Sequence, residues 1–365
     1  MNQNAELDLR NFTDHNFSPL VELSNTAYSG RDIADLSFLN WEYLHNPDGN
    51  ALITSAIANN DTDESSREGS QKIVSQYIVL PRRYVVNGKL SLGSLSVNSL
   101  THPDFRGVGL FEKLALMTFN RCRENNIRFT IGFPNPISSP IIERKKLFSV
   151  MGSLPVLIKT LNPVRSLMGY VSSGKDKTGD EIDLHLQDEN YRLKHEISIF
   201  DVEADRDKYS LLLNEFSGMP RNTTYRSPEY LSWRYRQIPR RTYTMLKLVK
   251  HDRIAAIAIL RGRIMYGMRT CILVDLISND HAASDELISF VLSYCRLIKM
   301  DIVLTTVPRH SSEYKLVKSH GFLVIPNFIL PQKLDVIFRN HGDAPSDNTG
   351  EFSNWFLTFG DYDIF

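Results

Sequence analysis

Apolar residues in this chain follow two periods that alternate along its length. Near the start, Phe17, Leu20, Val21 and Leu23, then Phe38, Leu39, Trp41, Tyr43 and Leu44, carry helical spacing, so residues 16–44 are predicted helical in pieces. Asn46-Pro47-Asp48-Gly49 reads as a turn, and residues 51–58 as a strand. The polar, charged stretch 59–70 is predicted to be a loop. Strands follow at 72–80 and 83–86, and Asn87-Gly88 is a strong two-residue hairpin signal leading into residues 89–92. Leu95, Val97, Ser99 and Thr101 alternate as a strand does. Leu110, Phe111, Leu114, Met117 and Cys122 then line one face of a helix, with Glu112, Lys113, Asn120, Arg121 and Arg123 opposite. A strand at 127–133 ends in Pro134-Asn135-Pro136; a short helix over 138–148 has Pro140 in its first turn, and a strand covers 155–161.

Residues 169–190, rich in Ser, Gly, Lys and Asp, read as a join, because the pattern then starts again. Leu39, Trp41, Tyr43 and Pro47 recur at the same mutual spacing as Leu231, Trp233, Tyr235 and Pro239. The chain has only 3 tryptophans, so two in matched settings argue for an internal duplication. Their expected role is plain helix-on-sheet packing. Strands at 243–249, 253–260 and 270–277, a helix at 285–299, a strand at 301–307, a helix at 312–320 and a strand from Gly321 follow. Phe133-Pro134-Asn135-Pro136-Ile137-Ser138 corresponds to Val307-Pro308-Arg309-His310-Ser311-Ser312. The expected organisation is a first unit at 1–168, a linker at 169–190, a second unit at 191–335, and a flexible segment with a C-terminal aromatic strand at 336–365.

Candidate chemistry concentrates in one place. The strand ending at Thr101 is followed by His102-Pro103-Asp104-Phe105, by Arg106-Gly107-Val108-Gly109, and by the helix that opens at Leu110 and Phe111. The first N–H groups of a helix have no internal partner, and the helix dipole places positive potential there. Gly107 and Gly109 let backbone come close to a ligand, and Arg106 adds a planar cation suited to phosphate oxygens. A diphosphate held by backbone amides is the chemistry implied. The second half lacks this loop: Ser278 to Asp285 contains no glycine or arginine and includes Asp280 and Asp285, carboxylates that would satisfy a helix start and repel phosphate.

Composition narrows the partners. Among 365 residues, 42 basic and 42 acidic side chains cancel, so no broad positive field is available for nucleic acid. Hydrophobic (42%) and charged (23%) shares are those of an ordinary globular chain. Cys122, Cys271 and Cys295 have no metal-like spacing and are expected to be buried thiols; no metal is expected. Residues 1–16 carry no apolar core of a signal peptide, and no apolar run is long enough to span a bilayer, so no membrane partner and a cytoplasmic location are expected.

The stretch Leu100-Thr101-His102-Pro103-Asp104-Phe105-Arg106-Gly107-Val108-Gly109 resembles the acyl-CoA signature of the GNAT acyltransferases, a strand followed by Pro-x-x-(Arg/Gln)-Gly-x-Gly-x-(Gly/Ala) and a helix. Arg106, Gly107 and Gly109 match; Phe111 stands where that family has Gly or Ala. The resemblance implies an α/β (α+β) chain of two tandem GNAT-like units, each a mixed, mostly antiparallel sheet flanked by helices, the second degenerate. It covers about residues 20–161 by motif and 197–330 by repetition. The Trp-x-Tyr element and the Phe-Pro-Asn-x-x-Ser segment look most like GNAT proteins of bacterial surface-polysaccharide gene clusters. Acetyl-CoA is then the implied cosubstrate. Arg106, Gly107, Val108, Gly109, Leu110 and Phe111 would hold its diphosphate. The backbone of Ser99, Leu100 and Thr101 would pair with the pantetheine amides and help stabilise the thioester oxyanion. Asn135 and Ser139 would contact the pantetheine arm, and Ser138 the leaving thiolate.

Many members use a tyrosine in the next helix as general acid, and Ile141 to Phe148 contains none. Asp361 and Asp363 in the C-terminal aromatic segment are candidates for binding an ammonium acceptor if that segment crosses back to the first unit. The expected activity is N-acetyl transfer to a small-molecule amine such as an amino sugar, with a homo-oligomer left open. Two alternatives stand beside it: a FemABX-type aminoacyltransferase and a non-catalytic acyl-CoA-binding scaffold.

Overall fold

The structure is a computed structural model describing residues 7–28, 32–58, 72–136, 138–172, 178–184, 196–342 and 349–362. In the first half these form β1 (Leu7–Phe12), α1 (Ser18–Tyr28), α2 (Leu36–Leu44), β2 (Leu52–Ala58), β3 (Lys72–Val86), β4 (Lys89–Thr101), α3 (Leu110–Glu124), β5 (Phe129–Gly132), α4 (Ser139–Lys145), β6 (Ser149–Leu154), β7 (Val156–Thr160) and α5 (Pro163–Ser172). Then come β8 (Thr178–Ile182), β9 (Ile197–Ile199), α6 (Arg206–Ser217), β10 (Thr223–Thr224), α7 (Pro228–Leu231), β11 (Thr244–Lys250), β12 (Arg253–Met265), β13 (Met268–Ile277), α8 (His281–Leu297), β14 (Ile302–Thr306), α9 (Ser312–Ser319), β15 (Leu323–Val324) and β16 (Leu334–Asn340).

Local chemistry accounts for the elements that the periodicity predicts. Asn87 (φ 50°) and Gly88 (φ 73°) both take left-handed backbone, as a tight hairpin between β3 and β4 requires. In α3 the buried positions Leu110, Leu114, Ala115, Phe119 and Cys122 form one stripe. The helix stops where Asn126 turns left-handed (φ 57°) and the N–H of Ile127 reaches back to the carbonyl of Cys122. β3 is one strand through Pro81 rather than two. Its neighbour β2 pairs only as far as Val79, so the missing N–H of Pro81 breaks no ladder bond there. Six strands escape the sequence pattern: β1, β6, β8, β9, β10 and β16, of which β8 falls in the expected linker 169–190 and β16 runs into the segment from 336 that was expected to be flexible. β1 is short and polar on one side, and β6 is mostly half-exposed.

The sheets show the duplication and also an exchange. One eight-stranded sheet runs β1-β2-β3-β4-β5-β16-β6, with β10 on β3; the other runs β15-β7-β14-β13-β12-β11-β9, with β8 on β12. Read from β1 and from β9, the two orders match position for position, and the sixth strand of each comes from the other half. β7 pairs with β14 in the second sheet, and β16 pairs with β5 and β6 in the first. The β16 side chains Leu334, Val336, Ile337 and Phe338 are buried, each worth about 2 kcal/mol by area. Between them they use both faces, Ile337 on the α3 side and Val336 and Phe338 on the other. Each half therefore completes the other's core.

Trp41 and Trp233 lie at the pseudo-twofold centre. Their rings stack at 4.7 Å and 14°, and each indole N–H donates to the other's backbone carbonyl, at 2.9 and 3.0 Å. The expected packing of each tryptophan on its own sheet is replaced by this reciprocal contact across the halves.

Candidate active site

The two strands framing the predicted site part company. β4 and β5 run parallel through Ser94–Thr130, Leu95–Ile131 and Ser96–Gly132, and there the ladder ends. Past that point β4 stays paired to β3 on its other edge, through Gln76–Leu100 and Ser75–Thr101. A bulge interrupts that pairing between Val97 and Leu100, with Asn98 in left-handed backbone (φ 48°). The edge of β4 from Val97 to Thr101, which includes Ser99 and Leu100, therefore faces a wedge opening toward Phe133, Pro134 and Asn135.

The glycine loop sits at the open end of this wedge. Arg106 donates from Nε to the carbonyl of Thr101 (3.3 Å), which folds the loop against the end of β4. Gly107 (φ 86°) and Gly109 (φ 80°) take left-handed backbone, and a Cβ at either would point into open space. Gly109 heads α3 with no side-chain cap, and the first amide taken up inside the helix is that of Lys113, on the Gly109 carbonyl at 3.2 Å. The amides of Leu110 and Phe111 precede it. Phe111 turns its ring away onto Tyr77, edge-on at 5.4 Å, so its bulk lies in the core beneath the loop. Val108 is exposed at the tip.

Asn135 and Ser138 are engaged with each other. Asn135 Oδ1 accepts from the Ser138 amide (2.9 Å), and the Asn135 amide donates to Ser138 Oγ (3.1 Å). The Ser139 amide donates to the Asn135 carbonyl (3.0 Å). These residues shape the start of α4 beside the wedge.

The C-terminal segment is not a strand. Residues 355–362 run as buried irregular chain through the contact between the halves. The Gly360 amide donates to the Val274 carbonyl (3.0 Å), and His310 Nε2 meets the Trp355 carbonyl (2.9 Å). Val274 lies at the irregularity of β13 and His310 lies after β14, the two strands that diverge past Leu273–Thr305. The chain's own tail thus fills the wedge of the second sheet that corresponds to the β4–β5 wedge in the first. At the start of α8, Asp280 accepts from the amides of Ala282 and Ala283, as a carboxylate in the missing loop was expected to do.

Asp361, a candidate for holding an ammonium, is a buried counter-ion. Its Oδ2 accepts from the Thr358 amide (2.7 Å) and from Arg226 (3.1 Å), and Arg226 also forks onto Asp275 at 2.6 and 3.2 Å. The two carboxylates hold the Arg226 guanidinium protonated against its complete burial. Asp363 lies outside the described residues. The segment does cross back: Tyr362 packs edge-on against Phe133 at 4.8 Å, and Arg82 donates to the Asp361 carbonyl (3.1 Å).

On the face of the first sheet away from α3, one carboxylate reaches the bulge. Asn98 Nδ2 donates to Glu42 Oε2 (2.6 Å) and to the Tyr43 hydroxyl (2.9 Å), and Gln76 Nε2 donates to the Asn98 carbonyl (2.8 Å). Glu42 is 4% exposed. Burial, and next the Glu42 charge, push the Tyr43 hydroxyl well above its usual range, so it stays protonated. Sequence reasoning passed over Glu42 because it used the Trp-x-Tyr element only as a repeat marker. The signal was there: the central residue is Glu42 in one copy and Arg234 in the other.

A cleft of about 440 Å³ lined by Phe12, Asp14, His15, Tyr43, Arg121 and Ile127, among others, has none of the loop residues 106–109 in its wall. Among the described residues no group of His, Cys, Asp and Glu is arranged to hold a metal, and no helix is long and apolar enough to cross a membrane.

Mixed sheets flanked by helices, repeated in tandem, with the central parallel pair splayed beside a glycine loop, define the chain as two GNAT-like domains. Residues 8–171 match the family model described as acetyltransferase (GNAT) domain. No curated protein matches the chain. Among solved structures it is similar to a GCN5-related N-acetyltransferase from Anabaena variabilis, at 11% identity and TM-score 0.59 over 92% of this chain and 73% of that one. It is also similar to Saccharomyces cerevisiae N-myristoyltransferase with bound myristoyl-CoA, at 14% identity and TM-score 0.59 over 93% and 83%. A GCN5-related N-acetyltransferase from Kribbella flavida matches at 11% identity and TM-score 0.56 over 92% and 71%. At these identities the likeness is one of fold.

Proposed function

We propose that the chain is an acyl-CoA-dependent N-acyltransferase that moves an acetyl group from acetyl-CoA to a small-molecule amine, an amino sugar being the first acceptor class to test. The observation that carries this reading is the parting of β4 and β5 after Ser96–Gly132, directly beside the uncapped loop Arg106–Gly109. In this reading Arg106 and the amides of Gly107 to Phe111 take the diphosphate. The pantetheine lies along Ser99, Leu100 and Thr101, and its thioester reaches the bulge at Asn98. A backbone N–H there is worth more to a developing oxyanion than to the ground-state carbonyl. The Phe133–Tyr362 ring pair takes up space at the wedge and favours a short acyl group.

The site unit is residues 1–168 completed by β16, and residues 191–335 close it from the other side. Ser138 Oγ is tied to Asn135, and we give it no part in proton transfer. The resemblance of the Trp-x-Tyr and Phe-Pro-Asn segments to surface-polysaccharide proteins supports an amino-sugar acceptor, and acetyl-CoA supply supports a cytoplasmic setting. Calorimetric titration of acetyl-CoA into the parent and a Gly109→Glu variant tests the reading. The glutamate would project into the open space above the loop and repel the diphosphate. Binding to the parent that is lost in the variant is expected; no binding to the parent overturns the reading.

A further inference from the structure

An amphipathic helix in a folded chain turns its apolar stripe toward the core. α5 does the reverse. Asn162 caps it, with Oδ1 accepting from the Arg165 amide at 3.2 Å, and Pro163 opens the first turn, where a missing N–H breaks no bond. The amides of Leu161 and Asn162 donate to the Asp301 carbonyl, just before β14, and the helix then crosses to the β12–β13 turn. It thus lies at the end of the second sheet opposite the plugged wedge. Ser166 and Gly169, one turn apart, are its contact side. Ser166 Oγ donates to the Asn162 carbonyl (2.7 Å) and lies 3.4 Å from that of Asp301. Gly169 meets the turn so closely that a Cβ there would stand 2.9 Å from the Gly267 carbonyl oxygen. With these small residues inward, Val164, Leu167 and Val171 point outward at i, i+3 and i+7, and are 63%, 66% and 74% exposed. Leu297, the last residue of α8, is 55% exposed at the same end.

Cations gather around this stripe. Arg165 sits on α5 itself, half-exposed, with Nε 3.4 Å from Asp301 Oδ1. Arg269 ties the end of α8 to the same corner, donating from Nε to the Lys299 carbonyl (3.2 Å). Arg296 and Lys299 are exposed there. Asp301, between them, is buried; Asp180 on β8, near the β12–β13 turn, is exposed. These surroundings select the occupant. α5 has 10 residues, about 15 Å at 1.5 Å each, and its stripe covers about 200 Å². A stable protein interface buries about 800 Å² on each partner, so the stripe is too small to hold a second copy. The helix is half the length of a bilayer's hydrocarbon core, about 30 Å, and cannot span it. It is suited to lying in the surface, where apolar side chains enter the acyl boundary and cations meet anionic headgroups. The expectation of no membrane partner came from the lack of a spanning run, which a surface helix does not need.

We infer that α5, with Leu297 and the cations around it, docks the chain on an anionic lipid surface. Apolar insertion and charge act together, because a short apolar stripe or a few exposed cations alone bind a membrane only weakly. The contact lies on the second half, away from the glycine loop, and does not rest on the acyltransferase reading.

The test is co-sedimentation of the full chain with vesicles, of phosphatidylcholine alone and of phosphatidylcholine with about one third phosphatidylglycerol. The parent is expected on the anionic vesicles, with affinity about 10-fold lower for the neutral ones and a steep loss in high salt. Leu167→Asp puts a carboxylate into the stripe and should weaken binding to anionic vesicles by about 10-fold or more. The side chain is exposed, so an unchanged Tm is expected to show that the fold is kept. Arg296→Glu combined with Lys299→Glu, on a different element, should weaken binding by about 10-fold as well, and it reports independently if the α5 variant folds poorly. No binding of the parent to anionic vesicles, equal binding to neutral ones, or parental binding by Leu167→Asp overturns the assignment. So does a dimer in sedimentation velocity that Leu167→Asp dissolves, which would make a second copy the occupant.

Discussion

His341 ties the exchanged strand into the first sheet, and its protonation should loosen that tie. It follows β16 directly, its amide donates to the Arg128 carbonyl (2.8 Å), and its Nε2 meets Thr130 Oγ1 (2.7 Å) on β5. Thr130 in turn meets Ser94 on β4 at 2.7 Å. Burial first, then the Arg339 and Arg123 charges, hold the ring neutral and its pKa down to about 4. Nδ1 is buried with no partner, so an imidazolium would carry a second N–H with nothing to receive it. The unfolded chain takes up this proton near pH 6.5, and the folded chain only near 4. The stabilisation is therefore complete above about pH 6.5 and is lost as pH falls toward 4, because in that window the unfolded state binds more protons. At about 1.4 kcal/mol per pKa unit, the loss is about 2 kcal/mol by pH 5 and about 3 kcal/mol by pH 4. Urea unfolding of the parent and of His341→Gln at pH 7.5 and 5 isolates it, since all other carboxylates and histidines are shared. The parent should lose about 2 kcal/mol more than the variant between those pH values. Equal losses would refute the reasoning.

Other perturbations test other joints. Arg106→Ala should weaken acetyl-CoA binding by about 5–20-fold, with a smaller difference at high salt, as calorimetry in two salt concentrations would show. Trp41→Phe removes one of the two reciprocal indole donors and strands the Trp233 carbonyl, so thermal unfolding should show a loss of about 1–3 kcal/mol; an unchanged Tm would count against the pseudo-twofold contact. Asp275→Asn leaves Arg226 short of one buried counter-charge and should cost about 3–5 kcal/mol, with faster proteolysis of the segment around residues 355–362. Cys122, Cys271 and Cys295 are buried, and burial lifts the Cys122 thiol to about 11, so a thiol reagent at pH 8 should label none of them until the chain is unfolded.

The legible part of the site was the part built from contiguous residues. Gly107, Gly109 and Arg106 announce a loop at a helix start because the conformations and the charge they supply are local properties. Asn87-Gly88 and the α3 stripe are legible for the same reason. Glu42 and Asn98 lie more than fifty residues apart. Each reads as an ordinary polar residue in its own segment, and only the packing of α2 over the β4 bulge makes them one cluster. Asp361 read as a free carboxylate because its partner Arg226 is equally remote.

The sequence by itself determined the β3–β4 hairpin, the long helix and most central strands of each half, that the pattern occurs twice, and that one copy alone carries an anion loop. Those follow from period, turn chemistry and the helix dipole, which act over a few residues. The tertiary structure decided which strand fills which sheet. β7 and β16 have the same apolar alternation whichever half they join, so period cannot choose between them; the shape of each open core does. It also decided that residues 355–362, expected as an aromatic strand, plug the second wedge as irregular chain. The buried Arg226, the β13 carbonyl of Val274 and the backbone of Asn222 satisfy their polar groups there.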